Sequence, residues 1–162
     1  KSPMEALMVL VPEAYKNKPS LQNNEQIKSF YRFWEAQQEP WDGPALLVWS
    51  DGKWVGACLD RNGLRPARYL VTKKGLVCMM SETGVLTNLE ENDILEKGRL
   101  GPGQMIACDL TEGEFYRNDE IKKRVASKRP YKEWVDAHMK ELLPQKFSQR
   151  REYSDSELIV QQ

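Results

Sequence analysis

Apolar and polar positions follow three regimes along the chain. SPMEALMVL (2–10) opens with a cap-like Ser-Pro pair and continues with good helix formers, which predicts a helix that Pro12 ends. EAYKNKPSLQN (13–23) is polar and reads as a surface connection. NEQIKSFYRFWEAQ (24–37) sets Ile27, Phe30, Tyr31 and Trp34 three to four apart. That spacing predicts an amphipathic helix packing its aromatics into a core, a simpler reading than an aromatic ligand box.

At EPWDGPA the breakers Pro40, Gly43 and Pro44 end the helical pattern, and short apolar runs then alternate with turns. ALLVWS (45–50) and KWVGACL (53–59) flank Asp51-Gly52, which predicts a tight hairpin. RYLVT (68–72) and LVCMMS (76–81) suit a second hairpin around Lys73, Lys74 and Gly75, and QMIACDL (104–110) with EFYR (114–117) a third around Glu112-Gly113. EENDILEKG (90–98) reads as a short helix ending at Gly98. From Asp119 the helical pattern returns over 119–128 and 131–143, with Pro130 as the first residue of the second helix. Residues 144–162 are highly polar and read as a linker or arm toward another domain.

Helices, about six antiparallel strands in hairpins, then helices again make an α+β fold, since sequential hairpins need no parallel crossover. A lone antiparallel sheet leaves its edges open, so the pattern calls for a partner sheet outside this chain.

Composition narrows the function classes. The 162 residues suit one domain with its own core, and 24 basic residues balance 24 acidic ones. No net field therefore draws in nucleic acid or an anionic membrane. ALMVLV is too short to span a bilayer. Cys58, Cys78 and Cys108 stand singly in apolar runs and read as reduced, buried thiols. With His138 as the one histidine, neither a metal site nor a Ser-His-Asp triad is expected. The chain opens on Lys1 without an initiator Met or signal-peptide pattern, which suggests a piece of something longer.

The densest chemistry lies in LDRNGLRPARY (59–69), which admits three readings. Asn62-Gly63 can present amide donors to a developing oxyanion, but such a hole needs a nucleophile with a base. Arg61, Arg65 and Arg68 can cradle an anion, although the glycine spacing matches no phosphate-binding fingerprint. The structural reading is simplest. Asn62-Gly63 permits a reversal, Pro66 extends Arg65, and Asp60 pairs with an arginine or accepts backbone N–H groups across the turn.

EPWDGPALLVWSDGKWVGACLDRNGLRPARYLVT, then SETGV, KGRLGPGQMIACD and RPYKEW, resembles the amidotransferase domain of the glutamate synthases, and the likeness runs from EALMVLVPEAY to the end. A looser likeness extends to other class II glutamine amidotransferases through Asp60, Gly63, Arg65 and Pro66, followed by Ser81 and Glu82. The resemblance implies an N-terminal-nucleophile αββα sandwich that hydrolyses glutamine. Its ammonia passes to a flavin domain for reductive transfer to 2-oxoglutarate. FMN, an iron-sulfur cluster and an electron donor belong to later domains of such an enzyme. The wording is closer to the ferredoxin-dependent type, which implies ferredoxin as donor and a plastid stroma or cyanobacterial cytoplasm as location.

The departures from the family matter as much. Its nucleophile is an N-terminal cysteine, its oxyanion pair lies in a His-Asn-Gly-Glu motif, and neither is present here. The family's Arg-Tyr-Ser-Thr and Ser-Asp-Ser-Ala glutamine-holding segments are absent too. The chain thus resembles the second half of the domain, over 1–143, with no catalytic, cofactor or metal residue of its own and with Asp60, Asn62, Gly63, Arg65 and Pro66 as a structural turn. Its expected partners are the upstream catalytic half and the downstream synthase domains of one polypeptide. The alternative is a non-catalytic interaction module reusing the half-fold.

Overall fold

The structure, a computed structural model, describes residues 1–140, with the backbone alone at 17, 20 and 22. Helix α1 (Pro3–Leu10) starts where predicted, Ser2 Oγ accepting the Glu5 N–H and Pro3 filling the first helical position. The next segment corrects the sequence reading. EAYKNKPSLQN is no simple surface connection, because it holds a 3-10 turn and the short helix α2 (Pro19–Gln22) and buries Glu13, Tyr15 and Leu21. Helix α3 (Glu25–Glu35), capped by Asn24, buries Ile27, Phe30 and Tyr31 as its periodicity requires.

Strands β1 (Leu46–Ser50) and β2 (Trp54–Leu59) form the first hairpin, and β3 (Arg68–Thr72) pairs with β4 (Val77–Met80). The predicted helix at EENDILEKG is a 3-10 turn leading into strand β5 (Ile94–Arg99), so the strands among the described residues number seven. Strands β6 (Met105–Asp109) and β7 (Glu114–Tyr116) close the third hairpin. Helices α4 (Asn118–Ala126) and α5 (Tyr131–His138) follow, and Pro130 caps α5 from one position outside it. Helix α5 ends at His138, with Met139 extended, short of the predicted 131–143 span; residues 141–143 and the polar 144–162 arm lie outside the described residues.

The strands form two antiparallel sheets, β1-β2-β6-β7 and β4-β3-β5. A second sheet therefore lies within the chain, where the sequence reading placed it outside. Alternation along β2 builds the layers. Cys58 joins Met8, Phe30, Ile121 and Tyr131 in a core between the four-stranded sheet and the helices. Ala57 and Leu59 turn the other way and meet Ala67, Leu100 and Ile106 between the sheets. Each large side chain so buried contributes about 1.5–3 kcal/mol. Helices, sheet, sheet is the order of layers among the described residues.

The chain crosses between sheets twice at one end. Residues 60–67 carry it from β2 to β3, and residues 100–104 return it from β5 to β6. The crossings are tied by Gly103 N–H to Asp60 O at 2.9 Å and by Leu100 N–H to Ala67 O at 2.9 Å. Sequence places the most concentrated chemistry in the first of these crossings.

Candidate functional site

Asp60 is the centre of the crossing. Its carboxylate accepts N–H groups from Asn62 at 3.1 Å and from Leu64 and Arg65 at 3.0 Å, with Ala45 N–H further off at 3.4 Å. The residue is buried, which alone would raise its pKa; the backbone donors outweigh burial and hold it below the usual carboxylate value. Of the two partners foreseen for Asp60, the structure selects backbone N–H groups. Asn62 Nδ2 donates to Asp42 Oδ1, in the loop before β1, at 3.0 Å and Gly63 N–H to Asp60 O at 3.1 Å, so the donors that an oxyanion hole would use are already engaged. Gly63 has φ +68° and packs on Pro102, where a Cβ would lie 2.7 Å from Cγ.

The three arginines of the stretch part company. Arg61 and Asn62 line a cleft of about 420 Å³ with Glu13, Tyr15, Trp34 and Glu35, whereas Arg65 and Arg68 line a separate hollow. In the cleft, Tyr15 Oη donates to Glu35 Oε2 at 2.9 Å and Lys16 Nζ to Glu35 Oε1 at 2.6 Å. The Lys16 hydrogen bond holds Glu35 below its ordinary pKa, against partial burial. Burial, then the Glu35 carboxylate, raise Tyr15. Ser81 and Glu82 follow β4 at the start of the loop leading toward β5, with Glu82 exposed.

Sequence reasoning missed the most buried charges. Glu13 lies in a segment read as surface, yet its carboxylate accepts hydrogen bonds from Lys122 Nζ, Lys18 Nζ and, at 3.1 Å, Asn118 Nδ2. Lys122 is fully buried on α4 and also donates to Gly103 O at 3.1 Å. Burial works to raise the Glu13 pKa, but the Lys122 charge and the three donors bring it below the ordinary value. Burial lowers Lys122, with Glu13 opposing. Tyr31 is buried beside them, its hydroxyl without a hydrogen-bond partner among the described residues. No local pattern announces this cluster, since Glu13 and Lys122 are 109 residues apart.

The thiols are free, as read, but only Cys58 is buried; Cys78 and Cys108 are half-buried. Burial pushes the Cys58 thiol up to about 12 and raises the other two, which is the reverse of nucleophile activation.

Residues 1–134 match the class-II glutamine amidotransferases. The chain belongs to that family. Among the relatives of this chain, ferredoxin-dependent glutamate synthase 2 of Synechocystis is 51% identical over 162 residues, covering all of this chain and 10% of that protein. The chloroplastic ferredoxin-dependent glutamate synthase of Spinacia oleracea is 54% identical over 151 residues, 93% of this chain and 9% of its own length. The chloroplastic glutamate synthase 2 of Arabidopsis thaliana is 53% identical over 148 residues, 91% and 9% respectively. The chain thus spans about a tenth of the length of the curated relatives it matches. Its two antiparallel sheets and flanking helices are the α+β, N-terminal-nucleophile architecture expected of the family. Among the described residues, no helix is long and apolar enough to cross a membrane.

Proposed function

We propose that the chain is the scaffold portion of the glutaminase domain of a ferredoxin-dependent glutamate synthase. That domain releases ammonia from glutamine, and the complete polypeptide joins the ammonia reductively to 2-oxoglutarate. The observation that carries the reading is identity of about one half, along the whole chain, to proteins of that name. The site geometry supports a scaffold role. Asp60 and Gly63 spend their polar groups on the crossing itself, Asn62 ties it to Asp42 in the loop before β1, and Pro66 and Arg65 continue it toward β3. The nucleophile is assigned to another part of the polypeptide, because no thiol here is activated.

In this proposal residues 1–143 belong to the glutaminase domain and 144–162 lead to the next. FMN and the iron-sulfur cluster sit in other domains, with ferredoxin as electron donor. The cysteines do not fit a cluster: Cys58 joins the helix-side core, whereas Cys108, on the neighbouring strand, lines the space between the sheets. A plastid or cyanobacterial setting is part of this proposal, supported by relatives that are chloroplastic or from a cyanobacterium.

The test compares ammonia release from glutamine by the 162-residue chain with that of the polypeptide as its source makes it. The source polypeptide is expected to be far larger, to begin with cysteine and to hydrolyse glutamine, and the short chain to be silent. Glutaminase activity that copurifies with the short chain and is lost in Cys58→Ala, Cys78→Ala or Cys108→Ala would defeat the scaffold assignment. A source polypeptide that starts at Lys1 and forms a discrete complex would favour an interaction module instead.

A further inference from the structure

The crossing that absorbs Asp60 leaves three cations facing one hollow. Arg65, Arg68 and Arg99 line a concavity of about 310 Å³ that Gly63, Pro66 and Pro102 help to form. Arg68 and Arg99 stand directly opposite one another in the β3–β5 register. Like charges in that position destabilise a strand pair. No acidic residue lines the hollow, and among the described residues no carboxylate lies within ion-pair distance of the three guanidinium groups. The nearby carboxylate of Asp60 is committed to backbone N–H groups. By contrast Arg117, just after β7 of the other sheet, is paired with Glu96 on β5.

We propose that this hollow binds a phosphate group. A tetrahedral phosphate can offer oxygens to three guanidinium forks at once, whereas a carboxylate has two. The fold fixes the backbone positions that carry the cations before any ligand arrives. Arg65 is positioned through its own N–H to Asp60, and Arg68 and Arg99 by strand register. The ligand supplies the negative charge that the cross-strand arginine pair lacks, so binding and local stability rise together.

The experiment titrates inorganic phosphate into the polypeptide as its source makes it, at constant ionic strength held with NaCl, followed by calorimetry and thermal unfolding. Saturable binding is expected, about tenfold weaker in Arg99→Gln and in Arg68→Gln. Arg99→Lys keeps the charge but loses the fork, and should weaken binding as well. Arg61→Gln, in the other cleft, should leave it unchanged. Succinate binding as tight as phosphate would overturn the choice of ligand. Absence of saturable phosphate binding would overturn the site. If Arg99→Gln then lowers the melting temperature, carboxylates from elsewhere in the polypeptide fill the hollow; if it does not, the arginines are solvated charges. Either result removes the proposal.

Discussion

Lys122 Nζ donates to the carboxylate of Glu13, and both side chains are sealed from solvent. The pair ties α4 to the segment after α1, and through Gly103 O it reaches the crossing that hydrogen-bonds Asp60. Two charges taken from water must hold one another, and removing either partner leaves the other exposed to a low-dielectric core. Glu13→Gln is therefore expected to cost roughly 3–5 kcal/mol. Lys122→Met should cost less, because Lys18 and Asn118 still serve Glu13. The double variant Glu13→Leu, Lys122→Met should recover a large part of the Glu13→Gln loss. Urea unfolding of the three variants checks this, and a double variant no better than Glu13→Gln would show the pair is not the source of the cost.

Acid should unfold the protein through the same carboxylates. Glu13 and Asp60 both titrate below their ordinary values of 4.5 and 3.8 in the fold. Their stabilisation is complete above those unfolded values and disappears as pH falls through the lower folded ones. The urea midpoint should drop below about pH 4.5. Asp60→Asn sets an amide against three N–H donors and should cost roughly 1–3 kcal/mol at neutral pH. That variant should also show a shallower acid limb; a limb as steep as wild type would mean Asp60 does not drive it.

Local patterns carried much of the fold. The aromatic stripe of α3, the Ser-Pro start of α1 and the glycine turns of three hairpins each state their structure within a few residues. What escaped was non-local. EENDILEKG reads as helix because Gly98 resembles a helix stop, but Gly98 is a strand glycine whose missing Cβ makes room for the Tyr69 ring. Glu13 reads as surface because its partner is on α4. Hairpins announce which strands are adjacent in sequence, not which sheet each enters, so the pairing of β2 with β6 and of β3 with β5 was hidden. Of the site, the Asp60 turn was legible as a turn, while Arg99 was not, since its relation to Arg68 exists only through that register.

The Gly98 contact gives a test of its own. Tyr69 Oη donates to Glu96 Oε1 at 2.8 Å, and the ring crosses Gly98 to reach it. Gly98→Ala should displace the ring and cost roughly 1–3 kcal/mol. In a Tyr69→Ala background the same substitution should cost little, because the atoms it would strike are gone. Additive losses in a double-mutant cycle would show that backbone conformation, not the ring, demands glycine there.

Gly63 and Gly113 separate two causes of glycine dependence. Both have left-handed backbones, φ +68° and +70°. A Cβ at Gly113 meets nothing within 4 Å, whereas one at Gly63 meets Pro102 at 2.7 Å. Gly113→Ala should therefore cost about 1–2 kcal/mol, the steric penalty of that conformation alone. Gly63→Ala adds a collision between the two inter-sheet crossings and should cost at least about 1 kcal/mol more. Pro102→Ala should lower the penalty of Gly63→Ala toward that of Gly113→Ala, because it removes the Cγ atom nearest the new methyl group. Thermal and urea unfolding of the four variants decide the matter. Equal losses at the two glycines would mean that the crossings are not packed against each other at Gly63, and with that the scaffold role of the Asp60 turn would lose its mechanical basis.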